Sequence, residues 1–238
     1  MNVNINPNGE LTQSAVNVPN LAPVPKALMH EAAGFQNAMM MYTCAIREVK
    51  TKLEVLNDEL SIRHQRNPIE MIKSRVKRPS SIVDKLERRG HPVTLESMQK
   101  NLDDIAGIRV ICSFLDDIYT VSDMLVRQDD VTVIAIKDYI KNPKPNGYRS
   151  YHLIIEVPVY FSNEKRNIRV EVQVRTIAMD FWASLDHQLK YKKNIQVDAD
   201  QISEELRQCA ETIAQTDQRM LQIRKSIESH SDTAETCR

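Results

Sequence analysis

The residues best equipped for chemistry are three carboxylates and two basic clusters. Asp103 and Asp104 stand in "LDDIAGIRV", just ahead of an apolar run, and Glu171 lies within "RNIRVEVQVRT" (166–176), where apolar and polar residues alternate. A strand points successive side chains to opposite faces, so Ile168, Val170, Val172 and Val174 line a core face, and Arg169, Glu171, Gln173 and Arg175 the other. One of the two carboxylates at the mouth of the sheet, Asp103 or Asp104, and Glu171 on another strand could jointly hold Mg²⁺. That ion takes one or two protein carboxylates and leaves its other positions to water and phosphate oxygens.

The first basic cluster is "KSRVKRPSSIVDKLERR", which sets Lys73, Arg75, Lys77, Arg78, Lys85, Arg88 and Arg89 against only Asp84 and Glu87. Its readings are a local positive field for an anion, or a solvated helix face with a basic loop. Arg109 sits in a strand that is otherwise apolar, where a guanidinium wants an anion or an aromatic plane. The second cluster is the loop "KDYIKNPKPNGYRSYH" (137–152). Two prolines and an Asn-Gly turn stiffen it and hold Lys144 and Asn146 outward, with Tyr148, Arg149, Tyr151 and His152 directly after. An aromatic ring beside cationic and amide groups can stack a nucleobase and hold its phosphates. A hairpin loop with a packing tyrosine fits the same residues.

These groups need a sheet and helices to position them. Residues 1–25, rich in Asn and Pro, read as a disordered tail. From 26 to about 63 the spacing of Ile46, Val49, Leu53, Leu56 and Leu60 predicts a long helix. "NPIE" (67–70) reads as a helix start, with Asn67 as cap and Pro68 at the first helical position, and Ser80 or Ser81 opens a further helix that ends near Gly90. Strands are predicted at 105–114, 131–136, 151–160 and 168–175, the last two joined as a hairpin through "FSNEKRN", with a helix at 117–127. The period turns helical after Thr176, through Phe181, Trp182, Leu185 and Leu189, and a final helix runs from about 198 to 229. The result is an α+β arrangement, a mixed and mainly antiparallel sheet flanked by helices. The expected organisation is a tail (1–25), a domain with its N-terminal helix (26–195) and a C-terminal helix with its tail (196–238). The stripes Leu53/Leu56/Leu60 and Ile213/Met220/Ile223 exceed what a small sheet can cover, which predicts a homo-oligomer.

Composition narrows the classes of function. Lys plus Arg equals Asp plus Glu at 32 each, so no overall field argues for nucleic acid or an anionic membrane, and any basic site is local. Cys44, Cys112, Cys209 and Cys237 are far apart with no CxxC, which gives neither a zinc site nor a disulfide framework and suits a reducing cytosol. No run has transmembrane length and the N-terminus lacks the features of a signal peptide, so a cytoplasmic location is expected.

Four motifs, "SRVKRPSSIVDKL", "DDIAGIRVICSF", "DYIKNPKPNGYRSYH" and "EVQVRTIAMDFWASLDH", in this order and at these separations, resemble the synthetase domain of RelA/SpoT-type alarmone synthetases, in their small single-domain form. The resemblance covers roughly 67–193. It implies a nucleotidyltransferase-like synthetase domain that moves the β,γ-pyrophosphoryl group of ATP to the ribose 3′-OH of GDP or GTP, with Mg²⁺ as cofactor. The long relatives add a hydrolase domain with a His-Asp motif. No His-Asp dipeptide occurs here, so synthesis without hydrolysis is expected. By the same resemblance Arg75 and Arg109 sandwich the adenine, while Lys77, Ser81 and Lys85 reach the ATP phosphates. Asp104 and Glu171 bind Mg²⁺, and Glu171 takes the proton of the 3′-OH. Tyr148 stacks on guanine, Lys144, Asn146 and His152 meet the acceptor and its phosphates, and Gln173 and Arg175 complete that side. A tetramer is implied as well. Product-activated members carry a Phe and a Thr in the segment that reads "EMIKS" here, so that activation is not expected. Two other readings stay open: a tRNA 3′-end pyrophosphokinase toxin of the same fold, and a non-catalytic, nucleotide-responsive RNA-binding regulator.

Overall fold

The computed structural model describes residues 26–64, 66–191 and 199–235. The expected N-terminal tail lies outside them. The chain divides into two units, Met1–Gln36, described only as the opening turns of a helix, and Asn37–Arg238, which holds everything discussed below. Eleven elements follow in order: α1 (Lys26–His64), β1 (Ile69–Val76), α2 (Pro79–Arg88), α3 (Leu95–Asn101), β2 (Ala106–Cys112), α4 (Leu115–Val126), β3 (Thr132–Asp138), β4 (Tyr151–Tyr160), β5 (Lys165–Thr176), α5 (Ile177–Tyr191) and α6 (Ala199–Glu235).

The strands form one mixed sheet in the order β1-β2-β5-β4-β3, with β2 and β5 parallel and the other neighbours antiparallel. The alternation read in 166–176 is real: Val170, Val172 and Val174 are buried with Leu153, Ile155 and Val157 of β4 and Ile108 and Val110 of β2. Helix α4 packs on β2 and β5, contributing Ile118, Val121 and Leu125 to the core, and α5 packs on β5, β2 and α6.

Three sequence expectations change. "NPIE" opens a strand and no helix. Ser113 donates its backbone N–H to the Pro68 carbonyl (3.1 Å) and its hydroxyl to Glu70 (2.7 Å), so the would-be cap tethers the end of β2, and pairing with β2 overrides the local helix signal. The short helix α3, capped by the Thr94 hydroxyl accepting from Ser97 N–H (3.1 Å), had no periodic stripe to announce it. The Leu53/Leu56/Leu60 stripe is buried within the chain, so it leaves nothing for a partner copy to cover. Exposed apolar residues include Ile177, Phe181, Leu185 and Leu189 along one side of α5, Met220, Ile223 and Ile227 on α6, Val55 and Ile62 on α1, and Val133, Ile134 and Ile136 on β3. Among the described residues no helix is long and apolar enough to cross a membrane.

Candidate active site

Strand register brings the polar residues into rows across the sheet. Lys73, Arg109, Gln173, His152 and Lys137 are successive partners across all five strands, and Arg75, Gly107 and Glu171 form a second row. Partners in a sheet share a face, so residues distant in sequence stand side by side. Between β1, β2 and β5 they enclose a cavity of about 210 Å³ lined by Arg75, Asp104, Arg109, Glu171 and Gln173 among others.

Asp104 stands in the turn before β2. Its Oδ2 accepts from Lys77 Nζ (3.1 Å), just past β1, and from Lys85 Nζ (2.7 Å) on α2. Burial pushes its pKa up, but the hydrogen bonds and charges of Lys85 and Lys77 outweigh burial and hold it below the ordinary value. Its Oδ1 is buried with no hydrogen-bond partner, an arrangement that wants a cation or a donor. Ser81 sits four residues before Lys85 on α2, hence on the same side of that helix.

Glu171 is spoken for on both oxygens, Oε1 by His152 Nδ1 (3.1 Å) and Oε2 by Gln173 Nε2 (2.9 Å). Burial raises its pKa and the nearby Asp104 charge adds to that, yet the His152 and Gln173 contacts prevail and the net shift is downward. Glu171 is therefore ionised at neutral pH. An ionised carboxylate only accepts, so His152 Nδ1–H donates to Glu171. His152 Nε2 lies 2.9 Å from the Tyr148 hydroxyl, which accepts from Arg175 Nη2 (2.5 Å).

Arg175 is only 3% exposed, and its guanidinium is committed to Tyr148, Gln173, Ser150 and Asp180. Asp180, in the first turn of α5, receives Arg175 Nη1 (3.1 Å) and Arg109 Nη1 (3.0 Å) on one oxygen, with Lys73 Nζ 3.8 Å from the other. Burial and the Arg175 charge pull the pKa of Arg109 down, with Asp180 opposing them.

The loop before β4 is built as its turn chemistry predicts. Gly147 has φ 87°, a conformation costly for any residue with a Cβ, and its N–H bonds the Lys144 carbonyl (2.8 Å). A Cβ here would also lie 2.6 Å from the Ala210 Cβ, so α6 lies directly behind the turn. Asn146 Oδ1 accepts from Tyr148 N–H (3.3 Å), which fixes the loop. Lys144 Nζ stands 4.7 Å from the centroids of both Tyr139 and Tyr148, and burial lowers its pKa. Tyr148 also packs against Trp182, Leu206 and Ala210.

Of the residues singled out in sequence, Arg75, Asp104, Arg109, Glu171 and Gln173 thus share one cavity, with Lys77 and Lys85 behind it. Tyr148, His152 and Arg175 reach it through hydrogen bonds, and Lys144 lies over Tyr148. For Ser81 the structure shows placement on α2 and no bond to the others. Sequence reasoning missed Asp180, Tyr139 and Ser150; "RTIAMD" gave a usable hint, since an acid in the first turn of a helix that follows a site strand points back at the site.

Residues 74–196 match the family described as the region found in RelA / SpoT proteins. The chain is also 45% identical over 194 residues to the GTP pyrophosphokinase YwaC of Bacillus subtilis (strain 168), covering 82% of this chain and 92% of that protein. This chain belongs to the RelA/SpoT family. The fold agrees with solved members. The small alarmone synthetase 2 of Bacillus subtilis superposes with a TM-score of 0.72 at 44% identity, over 81% of this chain and 98% of that one. The small alarmone synthetase 1 of the same organism, bound to its product pppGpp, gives a TM-score of 0.74 at 34% identity, over 82% and 99%.

Proposed function

We propose that this RelA/SpoT family member is a (p)ppGpp synthetase, which transfers the β,γ-pyrophosphate of ATP to the ribose 3′-OH of GDP or GTP and releases AMP. The observation that carries this reading is the position of Glu171: it lines the cavity flanked by Arg75 and Arg109 and also begins the hydrogen-bond chain to Tyr148. Two nucleotides bound on either side would meet at that carboxylate. The donor lies with its adenine between the two arginines and its phosphates toward Lys77, Ser81 and Lys85. The acceptor stacks on Tyr148, with Lys144, Asn146 and His152 around its phosphates, and Gln173 and Arg175 hold Glu171 and Tyr148 in place.

Two polyphosphates repel each other, and phosphoryl transfer asks the protein mainly for positioning and charge stabilisation. In this site the cations outnumber Asp104, Glu171 and Asp180, although the chain is neutral overall. The bare, buried Oδ1 of Asp104 and the nearby ionised Glu171 suit Mg²⁺, and these two residues would hold it. Bound there, the ion would neutralise phosphate charge as the transfer proceeds. Glu171 accepts the proton of the attacking 3′-OH, and its His152 and Gln173 contacts fix its orientation.

A cytoplasmic location agrees with these substrates. Assembly into a homo-oligomer, a tetramer by resemblance, falls to the exposed ridges of α5 and α6. The test is incubation with Mg²⁺ and ATP labelled on its terminal phosphates, offering GMP, GDP, GTP and deacylated tRNA separately. Label in GDP or GTP is the expected result. Label in tRNA alone would make the chain a tRNA pyrophosphokinase, and no transfer would leave a binding protein.

A further inference from the structure

The cavity flanked by Arg75 and Arg109 has a floor that carries no side chain. Gly107 lies in the middle of β2, in the row between Arg75 and Glu171, and lines the cavity with them. The backbone does not require glycine there. Its φ is outside the left-handed region that Gly90 and Gly147 occupy, and a Cβ would meet nothing nearer than the Arg75 carbonyl at 3.6 Å and the Arg75 Cγ at 4.0 Å, ordinary contacts. Glycine inside a strand weakens it, because it has more backbone freedom to lose and no side chain to pack. The fold would accept alanine at this point and gain from it, so the vacancy marks a place where something else approaches the backbone.

The geometry indicates what approaches. Arg75 pairs with Gly107 across the antiparallel β1/β2 ladder, and Arg109 lies two residues further along β2. Such diagonal neighbours are about 7–8 Å apart. A flat ring held between two guanidinium planes needs about 3.5–4 Å on each side, the same span. A side chain at position 107 would rise from the floor into that slot.

We propose that Gly107 forms the floor of the donor purine site: its missing side chain admits the adenine of ATP between Arg75 and Arg109, and a larger residue rejects the donor while sparing the acceptor. The proposal rests on the donor assignment made above and adds a binding residue to it. Tyr148 and His152, on the acceptor side, do not line this cavity.

The test compares the full chain with Gly107→Ala and Gly107→Val, which add one and three carbons. Thermal unfolding, calorimetric titration with ATP, and KM for ATP and for GDP are measured on each. Tm should stay level or rise. ATP affinity should fall at least about tenfold for Gly107→Val, with Gly107→Ala between it and the unsubstituted chain, since crowding a fitted pocket by a few carbons acts on that scale. KM for GDP should stay within about twofold, because no acceptor contact changes. ATP affinity unchanged in Gly107→Val would overturn the proposal. So would a fall in Tm accompanied by equal losses for both nucleotides, which is what a packing role produces. If the unsubstituted chain binds ATP but transfers nothing to guanine nucleotides, the reaction assignment fails, and the titration still decides the role of Gly107. No ATP binding by the unsubstituted chain would overturn both.

Discussion

Asp180 offers the sharpest test of how the site is held together. Its single Oδ1 receives both Arg109 and Arg175, and Lys73 stands near the other oxygen, so Asp180→Asn leaves two neighbouring guanidiniums with no shared counter-charge. Removing one partner of a buried ion pair costs about 3–5 kcal/mol. The Arg175 side chain is 4% exposed and feels most of that loss; Arg109, at 33%, is partly screened by water. Asn also keeps one acceptor oxygen. The expected cost is therefore at the low end, about 3 kcal/mol. At about 2–4 °C per kcal/mol for a domain of this size, Tm should fall by about 6–12 °C. The functional signature is more specific than the loss of stability. Arg109 flanks the donor cavity and Arg175 holds the Tyr148 hydroxyl, so KM should rise for ATP and GDP together, by about tenfold each, while Asp180→Glu recovers part of both. Steady-state kinetics on all three proteins, below the Tm of the weakest, supplies the readout. A drop in Tm with both KM values unchanged would reduce Asp180 to a packing residue, and an unchanged Tm would refute the argument from buried charge.

Three further outcomes follow from the same network. Glu171→Gln keeps the shape but removes the charge and turns one of its two acceptor oxygens into a donor, so kcat should fall at least about a hundredfold while the chain still folds, and activity within a few fold of the parent would remove Glu171 from the chemistry. Tyr148→Ala should raise KM for GDP by the equivalent of about 1–3 kcal/mol of stacking and leave ATP affinity unchanged, whereas Tyr148→Phe should keep the GDP KM and lower kcat, because only the hydroxyl contacts to Arg175 and His152 are lost. Phe181→Glu and Leu185→Glu place charges on the exposed ridge of α5 and should reduce the mass seen by light scattering at micromolar concentration; a monomeric parent chain would remove the basis for that ridge as an interface.

What the sequence disclosed and what it withheld divide along physical lines. The strand at 151–160 was legible as a short run rich in apolar and β-branched residues, and the two faces of 166–176 because one buried face imposes a period of two. The turn at Asn146-Gly147 was legible because its φ demands glycine. Asn67 and Pro68 misled, since a local capping signal is worth less than an eight-residue strand pairing. The rows that set Arg75 beside Glu171, or Arg109 beside Gln173, depend on a register between strands distant in sequence, which no local pattern encodes. The candidate site was thus readable as a set of residue types and unreadable as a wiring diagram: Arg175 gave itself away as polar, but nothing in "VQVRT" announced that its charge would be buried against an aspartate five residues on.

The close approach of Gly147 to Ala210 sets an order of events in time. The acceptor turn leaves the ribosome well before α6, yet α6 is what closes its back and packs Tyr148 against Trp182 and Leu206. Contacts that wait for a distant segment form late, because the loop between them must first be closed. A nascent chain that has released its sheet but not α6 therefore lacks the segment that backs the Gly147 turn and the Tyr148 ring. On the assignment proposed above, the guanine nucleotide would have no firm place until α6 is made, so a half-synthesised chain would not produce the signalling nucleotide.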